Sequence, residues 1–104
     1  MSGKVALITG ASRGIGRTVA VGLAEDGYHV GLIARGDLDE TAAEARAFGV
    51  RAYTYRAAVE NFSAVHDAVA DLVKHEGRLD MVFNNAGMFA TGSAELSPEE
   101  FSKV

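Results

Sequence analysis

The chain has 104 residues, enough for one domain, and a domain of that size buries about two-thirds of the surface its unfolded chain exposes. Ten Lys and Arg against 14 Asp and Glu leave a formal net charge of -4, and the basic residues form no stripe, which argues against a nucleic-acid surface. With no cysteine there is neither a disulfide framework nor thiolate chemistry. No apolar run approaches the roughly 18 residues that a bilayer crossing needs, and the N-terminus lacks the apolar core of a signal peptide, so the chain reads as soluble and cytoplasmic.

In chain order, "KVALIT" reads as a short buried strand and is followed by the glycine-rich "TGASRGIG", Thr9 to Gly16. Beyond it Ile15, Val19 and Leu23 recur at helical spacing until Gly27 stops the helix. "HVGLIA" is a second strand, and Asp37 stands where a cap is wanted for the alanine-rich helix "LDETAAEARAF", closed by Gly49. "VRAYTY" is a third strand. Asn61 can cap a helix whose Phe62, Val65, Val69, Leu72 and Val73 form one apolar stripe, with Gly77 just past its end. "LDMVFN" is a fourth strand, and Ser97, Pro98 and Glu100 spell the capping box of a further helix. The order βαβαβαβ predicts an α/β fold with a parallel sheet, right-handed crossovers and helices on both faces. The fourth strand then leaves an apolar sheet edge at "MVF", a place for a second copy of the chain to pair.

The glycine loop has a physical reading of its own. Gly10 lets the backbone turn sharply off the first strand, Gly14 lets it pass close to a ligand, and Gly16 lets the new helix pack tightly on the sheet. The helix N-terminus then offers free N–H groups and a partial positive charge, suited to a pyrophosphate. The spacing is GxxxGxG rather than GxGxxG, and glycines at a strand-to-helix turn also serve packing alone. The second strand ends in Ala34 and Arg35, with no acid to hold the ribose 2′-hydroxyl of NAD. Asp37 has about the right separation but reads as a helix cap. Arg13 and Arg35 are placed to converge on a 2′-phosphate, the alternative for each being a solvated surface side chain.

"TGASRGIG", followed by "NNAG" at Asn84 to Gly87 on the end of the fourth strand, resembles the short-chain dehydrogenase/reductase family. The resemblance runs along the whole chain and covers about half of a family member. It implies a Rossmann-like, doubly wound parallel sheet, here its N-terminal half, with residues 1–104 forming a single, truncated dinucleotide-binding domain. It also implies an oxidoreductase acting on an alcohol or carbonyl. In that family basic residues at the places of Arg13 and Arg35 go with NADP(H), NAD(H) being the alternative. The cofactor contacts it implies are Gly10, Ser12, Arg13, Gly14, Ile15, Gly16, Arg35, Val59, Asn84, Ala86 and Gly87. One departure is Ala58, where the family usually carries an aspartate for the adenine amino group; Glu60 nearby reads as an acid at the start of the next helix.

The family's proton-transfer pair, a tyrosine with a lysine four residues on, has no counterpart here. Tyr28, Tyr53 and Tyr55 are followed at that spacing by Leu32, Ala57 and Val59. Tyr53 and Tyr55 share a strand face and read as sheet packing. His29, His66 and His75 have no metal-ligand spacing and read as surface or helix-end residues. These residues are therefore expected to hold a nucleotide and to be inactive alone, the rival being a non-catalytic module that binds nucleotide or pairs with another subunit.

Overall fold

Strands β1 (Val5–Thr9) and β2 (His29–Ala34) are buried at every residue, as strands covered on both faces must be. The computed structural model describes residues 3–58 and 60–85. Two shorter strands, β3 (Ala52–Arg56) and β4 (Met81–Asn84), complete a parallel sheet of order β3-β2-β1-β4. Three helices connect them: α1 (Gly14–Glu25), α2 (Asp39–Arg46) and α3 (Phe62–Glu76). The chain steps outward from β1 to β3 and then returns to place β4 on the other side of β1. That reversal makes β1 and β4 the switch point of the sheet, at whose carboxyl ends folds of this kind receive ligands. Among the described residues β4 is an edge strand, with Met81 exposed.

Alternation along the strands divides the core in two. Ala6, Ile8, Val30, Leu32 and Ala52 face α1 and α2, whereas Val5, Leu7 and Ile33 face α3 with Val65, Ala68 and Leu72. Leu7, Ile8, Leu32, Ile33 and Leu72 are fully buried, each worth about 1.5–3 kcal/mol relative to exposure. Gly31 brings α3 close: a Cβ there would lie 2.7 Å from Leu72 Cδ2 and 3.0 Å from Leu7 Cδ1.

Helix α3 is capped as its sequence predicts, Asn61 Oδ1 accepting the Ala64 N–H at 3.0 Å. On α2 the cap position falls to Leu38, which makes no side-chain cap bond; Asp37, expected as the cap, lies one residue earlier, and its Oδ1 accepts the Asp39 N–H at 2.8 Å. The apolar faces differ from the periodicity reading. Helix α1 turns Gly16, Ala20 and Ala24 to the core, leaving Val19 and Leu23 partly buried and Ile15 67% exposed. It packs so close to the sheet that only small residues fit beneath it. On α3, Phe62 and Val73 are exposed at the margin of the stripe. His29, expected on the surface, is buried at the start of β2, where Nδ1 accepts the Arg51 N–H at 3.0 Å. Val59, Ala86, Gly87, the stretch 88–96 and the helix start at Ser97, Pro98 and Glu100 lie outside the described residues.

Candidate nucleotide-binding site

At the carboxyl end of β1 the backbone turns at Gly10 (φ 63°) and again at Gly14 (φ 61°), in the left-handed region that favours glycine. The loop closes back on itself between them. A Cβ on Gly16 would run into the Gly10 carbonyl, whose carbon would be 2.7 Å away. The close approach of helix to loop therefore depends on Gly16. A Cβ on Gly14 would meet nothing within 4 Å, so this glycine is required by its backbone angle and leaves open space above it.

Arg13 is the residue before the first turn of α1, in extended conformation, and no side chain caps that helix. Its first turn contains no acid. The N-terminal N–H groups and the positive end of the helix dipole thus face outward without a protein anion, the arrangement that suits a bound phosphate.

Three neighbours hold the loop. The Ala11 N–H donates to the Ile33 carbonyl at 3.2 Å, tying it to β2, and the buried Thr41 hydroxyl of α2 donates to the Ala11 carbonyl at 2.9 Å. Toward β4, Thr9 Oγ1 of β1 donates to Asn84 Oδ1 at 3.0 Å, and Asn85 Nδ2, just past β4, donates to the Gly10 carbonyl at 3.4 Å. Asn84 therefore braces β1 against β4. Thr41 and Asn85 escaped the sequence reading; the visible signals were a single threonine in an alanine-rich helix and the second asparagine of "NNAG".

The loop also meets the end of β2, since a Cβ on Gly36 would lie 3.5 Å from Ser12 Oγ. Arg13 and Arg35 are the chain neighbours of that contact. The Arg13 guanidinium has no partner among the described residues, although Arg17, one turn on, is held by Glu44 at 2.8 Å and Glu40 at 3.1 Å. Arg35 meets Glu60 at 3.4 Å, both side chains exposed, and Arg56 donates to the Arg35 carbonyl at 3.2 Å. Glu60, read from sequence as a helix-start acid, is thus a counter-ion to Arg35. Gly10, Ser12, Arg13, Gly14, Ile15, Gly16, Arg35 and Asn84 all lie at the carboxyl side of the sheet, with Ile15 exposed beside the loop.

The tyrosines are elsewhere. Tyr53 and Tyr55 pack against the α3 side of the core, their hydroxyls donating to Glu76 and to Asp71. Burial, reinforced by those carboxylates, pushes both phenols upward in pKa, the wrong direction for proton transfer near neutral pH. Among the described residues no group of His, Cys, Asp and Glu is placed to hold a metal, and no helix is long and apolar enough to cross a membrane.

The family model for short chain dehydrogenase matches residues 4–104. The chain belongs to the short-chain dehydrogenase family. It is 41% identical over 88 residues to 3-oxoacyl-(acyl-carrier-protein) reductase FabG of Staphylococcus epidermidis, a match covering 82% of this chain and 36% of that protein. It is 38% identical to versicolorin reductase 1 of Aspergillus parasiticus, covering 100% of this chain and 41% of that one. The chain therefore spans well under half the length of these curated relatives. Carveol dehydrogenase from Mycobacterium avium, solved in complex with NAD, superposes with a TM-score of 0.78 at 30% identity, over 98% of this chain and 43% of that one. NAD+-bound xylitol dehydrogenase gives 0.77 at 34% identity, over 98% and 41%. This family member is an α/β chain with the Rossmann-like sheet of its structural neighbours.

Proposed function

We propose that residues 1–104 are a single dinucleotide-binding domain, the nucleotide-holding part of an oxidoreductase that moves hydride between NADP(H) and an alcohol or carbonyl. The observation that supports the cofactor choice is the approach of the glycine loop to the end of β2, where a Cβ on Gly36 would lie 3.5 Å from Ser12 Oγ and Arg13 and Arg35 are the chain neighbours of that approach. Ala34 ends β2 and Arg35 follows it, so the strand end itself offers no acid to a ribose 2′-hydroxyl; the nearby Glu60 carboxylate is paired with Arg35 at 3.4 Å, and a 2′-phosphate would take its place.

The described residues fit such a cofactor. Gly14 leaves open space for the pyrophosphate at the uncapped α1, Gly16 lets that helix approach the loop, and Ser12, Arg13 and Arg35 form a cationic, hydrogen-bonding edge for the 2′-phosphate. Ile15 shields the phosphates from one side, and Asn84 keeps β4 in register beside the ribose. Val59, Ala86 and Gly87 complete the adenine and ribose contacts in this reading. The bound nicotinamide would supply the hydride; these residues bind and orient it. The names of the curated relatives support a reductase, and the NAD complexes among the structural neighbours make NAD(H) the cofactor to test against.

Fluorescence titration of the chain and of Arg35→Asp with NADPH and NADH tests the reading. The substitution should lower NADPH affinity about ten- to a hundredfold, the worth of a charge-assisted hydrogen bond, and leave NADH affinity equal or higher. Unchanged discrimination between the two cofactors would refute it.

A further inference from the structure

We infer that Thr41, on α2, is a positioning residue for the 2′-phosphate side of the site, acting through the Ala11–Ser12 peptide. The inference rests on the proposed seating of a 2′-phosphate at this loop and adds a residue that touches no part of the cofactor.

Thr41 is fully buried in a face otherwise made of Leu38, Ala42 and Ala45. A valine has the same shape, so packing alone gives no reason for a hydroxyl there. A buried hydroxyl carries a desolvation cost unless it is bonded. Its bond is to the Ala11 carbonyl at 2.9 Å, and Ala11 is itself fully buried. The same residue is held through its N–H by the Ile33 carbonyl at 3.2 Å. Both sides of Ala11 are therefore fixed, one by β2 and the other by α2.

The consequence follows from the planarity of the peptide. Because the Ala11 carbonyl points at Thr41, the Ser12 N–H in the same trans peptide points away from α2. That N–H has no partner among the described residues. Thr41 thus fixes the direction of one free donor and the path of the chain into Ser12 and Arg13. The pyrophosphate side has separate support, from the close approach of Gly16 to Gly10 and from Asn85 on the Gly10 carbonyl. Loss of the Thr41 hydroxyl should therefore weaken the grip on a 2′-phosphate more than the grip on the pyrophosphate.

The experiment compares Thr41→Val, Thr41→Ala and Thr41→Ser with the unaltered chain, titrating each with NADPH and NADH and recording urea unfolding without cofactor. In Thr41→Val the ratio of NADPH to NADH affinity should fall about fivefold, the worth of one neutral hydrogen bond. Thr41→Ser should restore it. Thr41→Ala, which cannot overpack the site, should repeat the loss if the valine variant folds poorly. A residue that merely stabilises the fold would lower both affinities together and leave the ratio alone; that result, or failure of serine to restore the ratio, overturns the inference. If the unaltered chain shows no preference for NADPH and Arg35→Asp changes nothing, the 2′-phosphate reading itself has failed. If Arg35→Asp shifts the ratio and Thr41→Val does not, only the role of Thr41 has failed.

Discussion

At the amino ends of the strands a buried carboxylate gathers a network of hydrogen bonds, whereas at the carboxyl ends the ion pairs are exposed and Arg13 and the N-terminus of α1 have no protein partner among the described residues. Around the start of β2, Arg51 binds Glu76 through Nε at 2.6 Å and Nη2 at 2.9 Å, Tyr53 donates to the same carboxylate, and His29 accepts the Arg51 N–H. Beside it Asp80 accepts from Arg78 and from the Val5 N–H at 2.8 Å, pinning β4 to β1. At the other end Arg13 has no partner among the described residues, and α1 is uncapped while α3 is capped by Asn61. One sheet thus has an end whose network serves stability and an end that, apart from the Arg35–Glu60 and Arg17–Glu40/Glu44 pairs, is left open to an anionic ligand. A feature that weakens the protein taken alone, such as an open helix N-terminus beside an unpaired arginine, becomes favourable once phosphate occupies it.

The largest effect expected from breaking this division is at Gly16, where the two functions meet. Gly16→Val would force a side chain into the Gly10 carbonyl, costing about 1–3 kcal/mol in urea unfolding as an overpacked site does. It would also lower NADPH affinity by more than about a hundredfold, the worth of two charge-assisted hydrogen bonds. A variant that binds normally would show that helix α1 need not approach the loop so closely.

Arg13→Asp separates the two terms. The extended backbone at Arg13 already suits a capping residue, so the aspartate should stabilise the chain without cofactor by about 0.5–1 kcal/mol. The same change should lower NADPH affinity at least tenfold, because a carboxylate would then occupy the anion position. Opposite signs in unfolding and titration sharpen the comparison; equal signs break it.

The smallest effect on the cofactor site belongs to the networked amino end and to acid. The Arg51 hydrogen bond, opposed by burial and aided by Tyr53, holds the Glu76 carboxyl down at about 2, below its ordinary 4.5. A carboxyl depressed in the folded state stabilises the fold above its unfolded pKa and loses that contribution as pH falls through the folded value. Stability should therefore fall between about pH 4.5 and 2. In Glu76→Gln the slope over that window should flatten, with the cofactor ratio at neutral pH unchanged. An unaltered slope would mean that the Arg51–Glu76 pair adds nothing to folding.

Much of the carboxyl end was legible in the sequence because its requirements are local. A turn that needs a positive φ, as at Gly10 and Gly14, writes itself as glycine, and a strand that ends in arginine where an acid would bind ribose is read directly. The capping of α3 by Asn61 was legible for the same reason. The amino end was not. His29 sits beside Arg51, and Arg51 beside Glu76, across separations of 22 and 25 residues, and no spacing rule links them. Glu60 looked like a helix-start acid because its partner, Arg35, comes from another strand. Ile15 shares the helical spacing of Val19 and Leu23 yet is exposed, because period alone cannot show that α1 lies too close to the sheet for large side chains.

The sequence by itself determined the alternation of strands and helices, the parallel sheet, the glycine loop and the absence of an acid at the end of β2, since each depends on neighbours within a few residues. Only the tertiary structure decided what holds that loop: Thr41 on the Ala11 carbonyl, Asn85 on the Gly10 carbonyl, and Ser12 against Gly36 beside the two arginines. Those contacts join residues 24 to 75 apart in the chain, and they exist only because the sheet brings four strand ends to one side.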